Sequence, residues 1–239
     1  MSEKRKFAAF DIDGTISRNA LFAQVVSALV DRDILPKKYR SEIDDVYEKY
    51  RTRDSKDAYK DFVSLNVELL LRHMRELEIS TYKQVVDEVI PKNARYTYTY
   101  TANLIKQLKS EGFFLIALSG SEMYSVQAFC RSLGFDISYG TVYGEQNGFF
   151  SDEVEQIIHR KDTFLKRFIA EHDLTIEGSV AVGDSSGDIS MLEFVERPIA
   201  FNPEDTLYEH ARQKGWEIVV ERKNVVYTMR NIDGTYLLD

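Results

Sequence analysis

Two pairs of aspartates stand where apolar runs of the sequence end. Asp11 and Asp13 close the run FAAFDID, and Asp184 and Asp188 follow the run SVAVG. Residues i and i+2 of a strand point to the same side, so the first pair can face one site. Buried carboxylates that lie side by side need a compensating cation, and Mg²⁺ prefers such oxygen ligands. The pairs therefore predict a magnesium site, with Asp188 either holding a metal-bound water or orienting a lysine.

A purely structural explanation of each pair stays open. DIDGT could be an aspartate-rich turn, which Gly14 would permit, and GDSSGD could be a turn that caps a helix. The occurrence of both pairs at strand ends favours the metal site.

A third apolar run, FFLIALS, ends at Ser119. The hydroxyl of Ser119 and the amides of Gly120 and Ser121 could bind phosphate oxygens. A helix predicted to start near Glu122 would add its N-terminus to such a site. A serine after a strand is common, so this motif is weak by itself.

A lysine could complete a phosphate site. Lys161 starts another predicted helix, and its ammonium could neutralise a transferring phosphoryl group. Spacing alone does not separate Lys161 from its neighbours Arg160 and Lys166.

These residues need a framework that holds them together. Five apolar runs predict strands that are covered on both faces, at 7–11, 113–119, 179–184, 198–201 and 216–220. Helical patterns lie between or beside them, near 101–110, 122–133, 161–172, 187–195 and 204–214. This alternation predicts an α/β core with a parallel sheet.

Residues 18–95 interrupt the alternation with a polar segment of helical pattern and no convincing strand. Ligands of open α/β sheets bind outside the carboxyl ends of the strands, so an insert here would stand above the site. We predict a helical cap domain at 18–95 and a core domain formed by 1–17 and 96–239. A peripheral bundle that does not reach the site is the alternative.

Two later stretches predict hairpins. Residues 142–154 carry Asn147-Gly148, a dipeptide typical of two-residue turns. MRNIDGTYLL nearly repeats DIDGT, but Asn231 replaces the first aspartate and no partner motif follows. We therefore predict a turn at Asp233-Gly234 rather than a second site.

Composition narrows the classes of partner. The 239 residues carry a formal net charge of −8, which argues against nucleic-acid polymers and anionic membranes but not against a small phosphorylated metabolite. The single cysteine, Cys130, excludes a disulfide framework and a cysteine zinc site. No stretch is typical of a signal peptide or a membrane span, so a soluble cytoplasmic protein is expected.

The motifs DIDGT, ALSG, RKDTFL and GDSSGDISML resemble, in order, the four motifs of the haloacid dehalogenase (HAD) superfamily, over about residues 7–220. DxDGT followed by GDxxxD is the specific part of this pattern. The helical insert resembles the C1 cap, and the ending GDxxxDISM is most similar to the subgroup that contains phosphoserine phosphatase. The resemblance implies a Rossmann-like three-layer core.

The resemblance also implies roles for the matching residues. Asp11 would be the nucleophile that forms an aspartyl-phosphate, and Asp13 would be the acid/base. Mg²⁺ would be bound by the carboxylates of Asp11 and Asp184 and by the backbone carbonyl of Asp13, with Asp188 in support.

The phosphoryl group would be held by the motifs that are weak alone. Ser119 and Gly120 would bind it from one side, and Lys161 would neutralise its charge. The implied function is Mg²⁺-dependent hydrolysis of a small phosphomonoester. Asp13 argues against the dehalogenase branch, which lacks an acid/base aspartate at this position. Transport ATPases share a DKTGT motif, but no lysine follows Asp11 here and no membrane domain is expected.

Phosphoserine-specific enzymes carry a glutamate shortly after DxDxT that pairs with the substrate's amino group. Here Arg18, Asn19 and Ala20 occupy that stretch, so phosphoserine is not expected as the main substrate. Arg18 either favours an anionic or polar substrate or is a solvated cap residue. A phosphoserine phosphatase proper and a phosphoaspartate carrier with little turnover remain the alternatives.

Overall fold

The first apolar run forms the centre of a sheet. Strand β1 (Arg5–Phe10) is buried over its last four residues, as a strand covered on both faces should be. It pairs in parallel with β2 (Phe114–Glu122) on one side and with β5 (Leu174–Gly183) on the other. The computed structural model describes residues 4–238, so residues 1–3 and 239 of the predicted core domain lie outside the described part.

Six further strands extend the sheet in both directions: β3 (Ile137–Gln146), β4 (Phe149–Glu155), β6 (Arg197–Phe201), β7 (Glu217–Arg222), β8 (Val225–Ile232) and β9 (Thr235–Leu238). The order is β4-β3-β2-β1-β5-β6-β7-β8-β9. Strands β3, β5, β6 and β7 continue the parallel sheet that β1 and β2 begin. Strands β4, β8 and β9 pair antiparallel with their neighbours. The order reverses between β1 and β5, which is the switch point where ligands of such sheets bind.

Helices cover both faces of the sheet: α5 (Thr99–Ser110) and α6 (Met123–Cys130) on one, and α7 (Lys161–Glu171), α8 (Ile189–Leu192) and α9 (Asp205–Lys214) on the other. Alternate residues of β1 divide between these layers. Ala8 and Phe10 belong to the first apolar cluster, and Phe7 and Ala9 to the second. The predicted three-layer α/β core is confirmed.

Four helices lie between the β1 loop and α5: α1 (Leu21–Asp31), α2 (Tyr39–Thr52), α3 (Ala58–His73) and α4 (Ile79–Asn93). We call them the cap helices; a short 3₁₀ turn (Met74–Glu76) joins the last two. They dock on the core, because the Tyr82 and Ser125 hydroxyls are 2.9 Å apart and the Ile79 N–H donates to the Gly148 carbonyl at 2.9 Å. The limits of the cap domain at 18 and 95 stay a prediction.

The sequence interpretation missed the first half of β3. It placed a hairpin at 142–154, but β3 already begins at Ile137 and pairs in parallel with β2. Gly140 weakens the strand pattern there. A Cβ at Gly140 would lie 2.5 Å from the Ser121 carbonyl oxygen, so close approach of the two strands excludes a side chain.

Both predicted hairpin turns are present. Asn147 and Gly148 have φ of 54° and 83°, and Asp233 and Gly234 have φ of 52° and 84°. Two consecutive left-handed residues form the two-residue turn that matches strand twist. The near-repeat at Asn231 thus belongs to the β8–β9 hairpin. Among the described residues, no helix combines the length and apolar character needed to cross a membrane.

Candidate active site

The loop after β1 brings its two aspartates to the switch point. The N–H of Asp11 donates to the carbonyl of Val182 on β5 at 2.9 Å, so Asp11 continues the hydrogen bonding between β1 and β5 at the carboxyl end of β1. The carbonyl of Ile12 then accepts the N–H groups of residues 15–17 at 2.8–3.3 Å, which closes a tight turn around Asp13. The turn fixes where both carboxylates can point.

Gly14 lets this turn approach the loop after β5. Its φ is +86°, and a Cβ there would lie 2.1 Å from Oδ2 of Asp184. Any other residue would therefore push the two loops apart. The contact is reinforced by the Thr15 hydroxyl, which donates to Oδ1 of Asp184 at 3.2 Å.

A buried lysine lies between two of the predicted site residues. The Nζ of Lys161 is 2.5 Å from Oδ1 of Asp11 and 2.6 Å from Oδ1 of Asp188. The exposed fractions are 2% for Lys161, 6% for Asp11 and 1% for Asp188. Charged groups this deeply buried persist because each has an opposite charge as partner. Burial opposes the charge of Lys161, but the two carboxylates outweigh it and raise the pKa of Lys161.

Its two sequence neighbours take no part in this cluster. Arg160 is exposed where α7 begins, and Lys166 pairs with Asp162 at 2.7 Å on the surface of that helix. The structure thus brings Lys161, and neither alternative, to Asp11.

Asp188 also organises the loop after β5. Its Oδ2 accepts the N–H groups of Asp184 and Ser185, each at 3.0 Å, and the Ser185 hydroxyl at 3.2 Å. Ser185 caps a short 3₁₀ helix (Ser186–Asp188), so the helix-capping turn considered from the sequence exists as well. Since both oxygens of Asp188 are engaged, its contacts are those of a residue that orients Lys161.

Three carboxylates lie close together at this site, and two of them contact the ammonium of Lys161. Within the described part of the chain, Asp11, Asp184 and Asp188 each offer an oxygen, and these oxygens lie within 4.8 Å of one another. Burial raises the pKa of Asp11 to about 7; the ammonium of Lys161 opposes this shift, and Asp188 and Asp13 add to it. Burial, and next the charge of Asp11, raises the pKa of Asp184 well above its usual range. The cluster is short of positive charge.

One oxygen of this cluster lacks a partner. Oδ2 of Asp11 is buried and accepts no hydrogen bond from any described residue. An orphaned carboxylate oxygen is costly unless something else satisfies it. Carboxylate oxygens around a site deficient in positive charge are the ligands a hard divalent cation prefers, so these residues fit Mg²⁺.

Asp13 is held on both of its oxygens. Its Oδ1 accepts the N–H of Leu21 at 2.7 Å, and its Oδ2 accepts the hydroxyls of Ser119 at 3.0 Å and Ser121 at 2.7 Å. Burial raises the pKa of Asp13 against the effect of these donors. The carboxyl group therefore has a defined orientation and a reduced tendency to ionise.

The end of β2 supplies the other predicted phosphate ligands. Ser119 is fully buried, and its Oγ accepts the N–H of Ser121 at 3.0 Å. Gly120 is exposed, and its carbonyl accepts the Thr141 hydroxyl at 2.8 Å. Ser119 thus shares the site through Asp13, whereas no hydrogen bond described for Gly120 links it to the aspartates.

The sequence that carries this site matches a known enzyme family. A model of the haloacid dehalogenase-like hydrolases matches residues 8–193. The chain belongs to this family. A phosphoserine phosphatase from Methanocaldococcus jannaschii is 24% identical over 229 residues, which are 94% of this chain and 96% of the relative. Family and curated relatives together indicate that this HAD hydrolase is a phosphatase.

Solved structures share the fold. A protein of unknown function from Bordetella pertussis superposes with a TM-score of 0.70 at 20% identity, covering 90% of this chain and 98% of that one. A phosphoserine phosphatase, solved as an analogue of its phospho-aspartyl intermediate, gives a TM-score of 0.62 at 20% identity, with coverages of 92% and 95%. These likenesses support the Rossmann-like HAD core predicted from the motifs.

Arg18 of this HAD hydrolase has a structural engagement that the sequence did not reveal. Its guanidinium forms an ion pair with Glu221, donates to the Thr97 carbonyl at 2.9 Å and lies 4.4 Å from the ring centroid of Tyr98. The side chain of Glu221 is 2% exposed and also accepts the N–H of Tyr100 at 2.8 Å. Arg18 therefore ties the start of the cap helices to β7, while its side chain remains 41% exposed to solvent.

A tyrosine of the cap helices lies near the acidic cluster. Tyr59, in the first turn of α3, is 36% exposed. Burial, followed by the charges of Asp184 and Asp13, raises the pKa of Tyr59 well above its usual range. The preceding loop also reaches the core, because Lys56 lies 3.9 Å from Asp205 at the start of α9. The cap helices contact the site directly at Leu21, the first residue of α1, whose N–H donates to Oδ1 of Asp13 at 2.7 Å.

Sequence reasoning did not select the hydroxyl of Ser121, which lies in the site, or Tyr59, which is influenced by the charges of the site. The Ser121 hydroxyl was missed, although Ser119 and Ser121 are i and i+2 at the end of a strand, which is the argument that paired Asp11 with Asp13. Tyr59 carried no such signal, because it is one of several tyrosines in a polar helical segment.

Proposed function

We propose that this protein is a Mg²⁺-dependent phosphatase that hydrolyses a small phosphomonoester through an aspartyl-phosphate on Asp11. The observation that carries the proposal is the pairing of Asp11 with the buried ammonium of Lys161, beside a carboxylate oxygen that has no partner among the described residues. Phosphoryl transfer needs chiefly positioning and charge neutralisation, and this site supplies both.

In the first step, a carboxylate oxygen of Asp11 attacks phosphorus while the bond from phosphorus to the alcohol oxygen breaks. Asp13 gives its proton to the departing oxygen, for which its raised pKa suits it. Lys161 stays protonated and balances the charge on the phosphoryl oxygens, and the Ser119 hydroxyl donates to one of them.

In the second step, Asp13 takes a proton from water, which attacks the phosphorus of the aspartyl-phosphate. The bond between phosphorus and Asp11 breaks, and inorganic phosphate leaves. Asp13 lies in the same turn as Asp11, which suits it to activate the water that attacks the intermediate. This position supports hydrolysis of the aspartyl-phosphate rather than a long-lived phosphoaspartate.

The metal would be held by the carboxylates of Asp11 and Asp184 and by the backbone carbonyl of Asp13. When bound, Mg²⁺ would neutralise negative charge that develops on the transferring group. Asp188 supports the site by orienting Lys161. A Mg²⁺ titration followed by thermal unfolding tests this assignment; saturation at about 100 times the dissociation constant stabilises by about 2.7 kcal/mol. Asp184→Asn should lose most of this effect, whereas Asp44→Asn, on the exposed surface of α2, should keep it.

Hydrolysis of p-nitrophenyl phosphate tests the phosphatase assignment. The wild-type protein with Mg²⁺ should release p-nitrophenol, and Asp11→Asn should abolish turnover with an unchanged circular dichroism spectrum. Mass spectrometry after an acid quench should find one added phosphoryl group on the peptide that contains Asp11. Full activity of Asp11→Asn would refute the proposal.

Phosphoserine is the second candidate substrate, because the Methanocaldococcus jannaschii relative is named for it. Against it, Arg18, Asn19 and Ala20 replace the expected glutamate, and Ala20 is buried. Comparing kcat/KM for phosphoserine, sugar phosphates and nucleoside monophosphates separates the candidates.

A further inference from the structure

Two serine hydroxyls donate to one oxygen of Asp13. Oδ2 of Asp13 accepts the Ser119 hydroxyl at 3.0 Å and the Ser121 hydroxyl at 2.7 Å. A carboxylate oxygen has about two acceptor positions, so these two donors fill it. Ser121 is 6% exposed and its hydroxyl has no second role in the described hydrogen bonds.

Ser119 cannot serve Asp13 and a phosphoryl group together. A serine hydroxyl carries a single hydrogen to donate. Its oxygen already accepts the N–H of Ser121 at 3.0 Å, which leaves that hydrogen as its means of binding an anion. When Ser119 turns its hydrogen to a phosphoryl oxygen, as the proposed function requires, its bond to Asp13 is broken.

We propose that Ser121 is a positioning residue for Asp13, which keeps the carboxyl group oriented while Ser119 holds the phosphoryl group; this rests on the proposed phosphatase function. After Ser119 turns away, Asp13 retains one donor on each oxygen, the N–H of Leu21 on Oδ1 and the hydroxyl of Ser121 on Oδ2. Two such bonds fix the plane of the carboxyl group. The acceptor position that Ser119 leaves on Oδ2 is then open for the proton passed between Asp13 and the leaving oxygen.

The inference predicts a dependence on the leaving group. A poor leaving group such as an alkoxide needs a well-placed acid, whereas p-nitrophenolate departs without much help. General acid catalysis typically contributes about 10²–10⁴-fold, so losing the orientation of Asp13 should remove a part of that range. The parameter to compare is kcat/KM, because it covers the steps up to departure of the alcohol.

The test uses Ser121→Ala with p-nitrophenyl phosphate and with an alkyl phosphate that the wild-type protein hydrolyses. The expected result is a fall of roughly 10-fold or more in kcat/KM for the alkyl phosphate and of less than about 3-fold for p-nitrophenyl phosphate. Ser121→Thr retains the hydroxyl and should restore the alkyl phosphate activity. Ser121→Gly, which also lacks the hydroxyl, should behave like Ser121→Ala and serves if that variant does not fold.

A matched control is Ser179→Ala, which removes another buried serine hydroxyl, on β5. Ser179 accepts the Glu196 N–H at 3.1 Å, away from Asp13, and its loss should not change the ratio of the two kcat/KM values. Equal losses on both substrates, or no loss on either, would overturn the role of Ser121. Failure of the wild-type protein to hydrolyse either substrate would instead refute the phosphatase function itself.

Discussion

The ammonium of Lys161 and the carboxylate of Asp11, 2.5 Å apart, join the start of α7 to the end of β1 inside the protein. Lys161 also forms an ion pair with Asp188, and Asp188 accepts a hydrogen bond from the backbone of the loop that carries Asp184. Strand ends that are distant in sequence are therefore fixed to each other by one buried cation. In the proposed function the same cation also neutralises the phosphoryl group, so the stability and the proposed chemistry of the site are linked.

Replacing Lys161 by Met should destabilise the protein strongly. Removing one partner of a buried ion pair leaves the other charge uncompensated, which costs about 3–5 kcal/mol of unfolding free energy. Here the charges left without their partner would be those of Asp11 and Asp188. Urea unfolding at pH 8 in a chelator measures the loss in unfolding free energy. Lys166→Met removes an exposed pair of equal type and should cost less than about 1 kcal/mol. Similar losses for the two variants would contradict a central role for the Lys161 cluster.

The stability of the metal-free protein should fall as the pH rises, and Asp11→Asn should reduce this fall. The pKa of Asp11 is raised from 3.8 to about 7, so this group favours folding most below pH 3.8 and loses that contribution as the pH rises through about 7. Asparagine does not titrate. From pH 5 to pH 8 in a chelator, the variant should gain about 1–3 kcal/mol relative to the wild-type protein.

Urea unfolding across this pH range measures both proteins side by side. Asp44→Asn removes an exposed carboxylate and should follow the wild-type curve. Parallel curves for Asp11→Asn and the wild-type protein would show that the carboxylate of Asp11 ionises at its ordinary pKa in the folded state.

The sequence was informative about the site because strand ends can be read locally. The apolar runs located β1, β2 and β5, and residues directly after parallel strands must meet at one sheet edge. Lys161 became distinguishable from its neighbours only in the fold, since burial separates it from Arg160. β3 escaped because Gly140, required by close strand packing, interrupts the pattern.

Contacts between remote segments carried no local signal. Arg18 and Glu221 are 203 residues apart, and no periodicity relates a residue of the first loop to a residue of β7. The position of Tyr59 likewise depends on how the cap helices pack, which binary patterning leaves open. Such pairings follow from tertiary structure and cannot be obtained from one sequence by pattern alone.

Arg18→Ala should reduce stability without a substrate-dependent change in KM. Arg18 compensates the buried carboxylate of Glu221, which would keep only the Tyr100 N–H as a partner in the described structure. A buried acceptor that loses its partner costs about 1–3 kcal/mol. Because the Arg18 side chain is 41% exposed, a value at the lower end is expected. Arg18→Ala with Glu221→Gln should recover part of the loss.

Thermal unfolding measures this change, and Arg32→Ala, which breaks an exposed pair with Glu88, provides the matched control. KM values for phosphate esters of different charge test the alternative. A rise in KM confined to esters whose alcohol part carries negative charge would show that Arg18 binds substrate rather than bracing β7.

Tyr59→Ala should raise KM while leaving the stability of the acidic cluster unchanged. The charges of Asp184 and Asp13 act on the Tyr59 hydroxyl, and the ring packs 5.2 Å from the ring of Tyr50 and is partly exposed. We predict that this ring contacts the leaving group of a bound ester. Loss of an aromatic contact costs about 0.5–1.5 kcal/mol, which corresponds to a rise in KM of about 2- to 12-fold. Tyr59→Phe should retain most of the affinity if packing dominates. Tyr208→Ala, equally exposed on α9, is the control and should not alter KM. An unchanged KM for Tyr59→Ala, over substrates of different size, would show that α3 does not contribute to the substrate site.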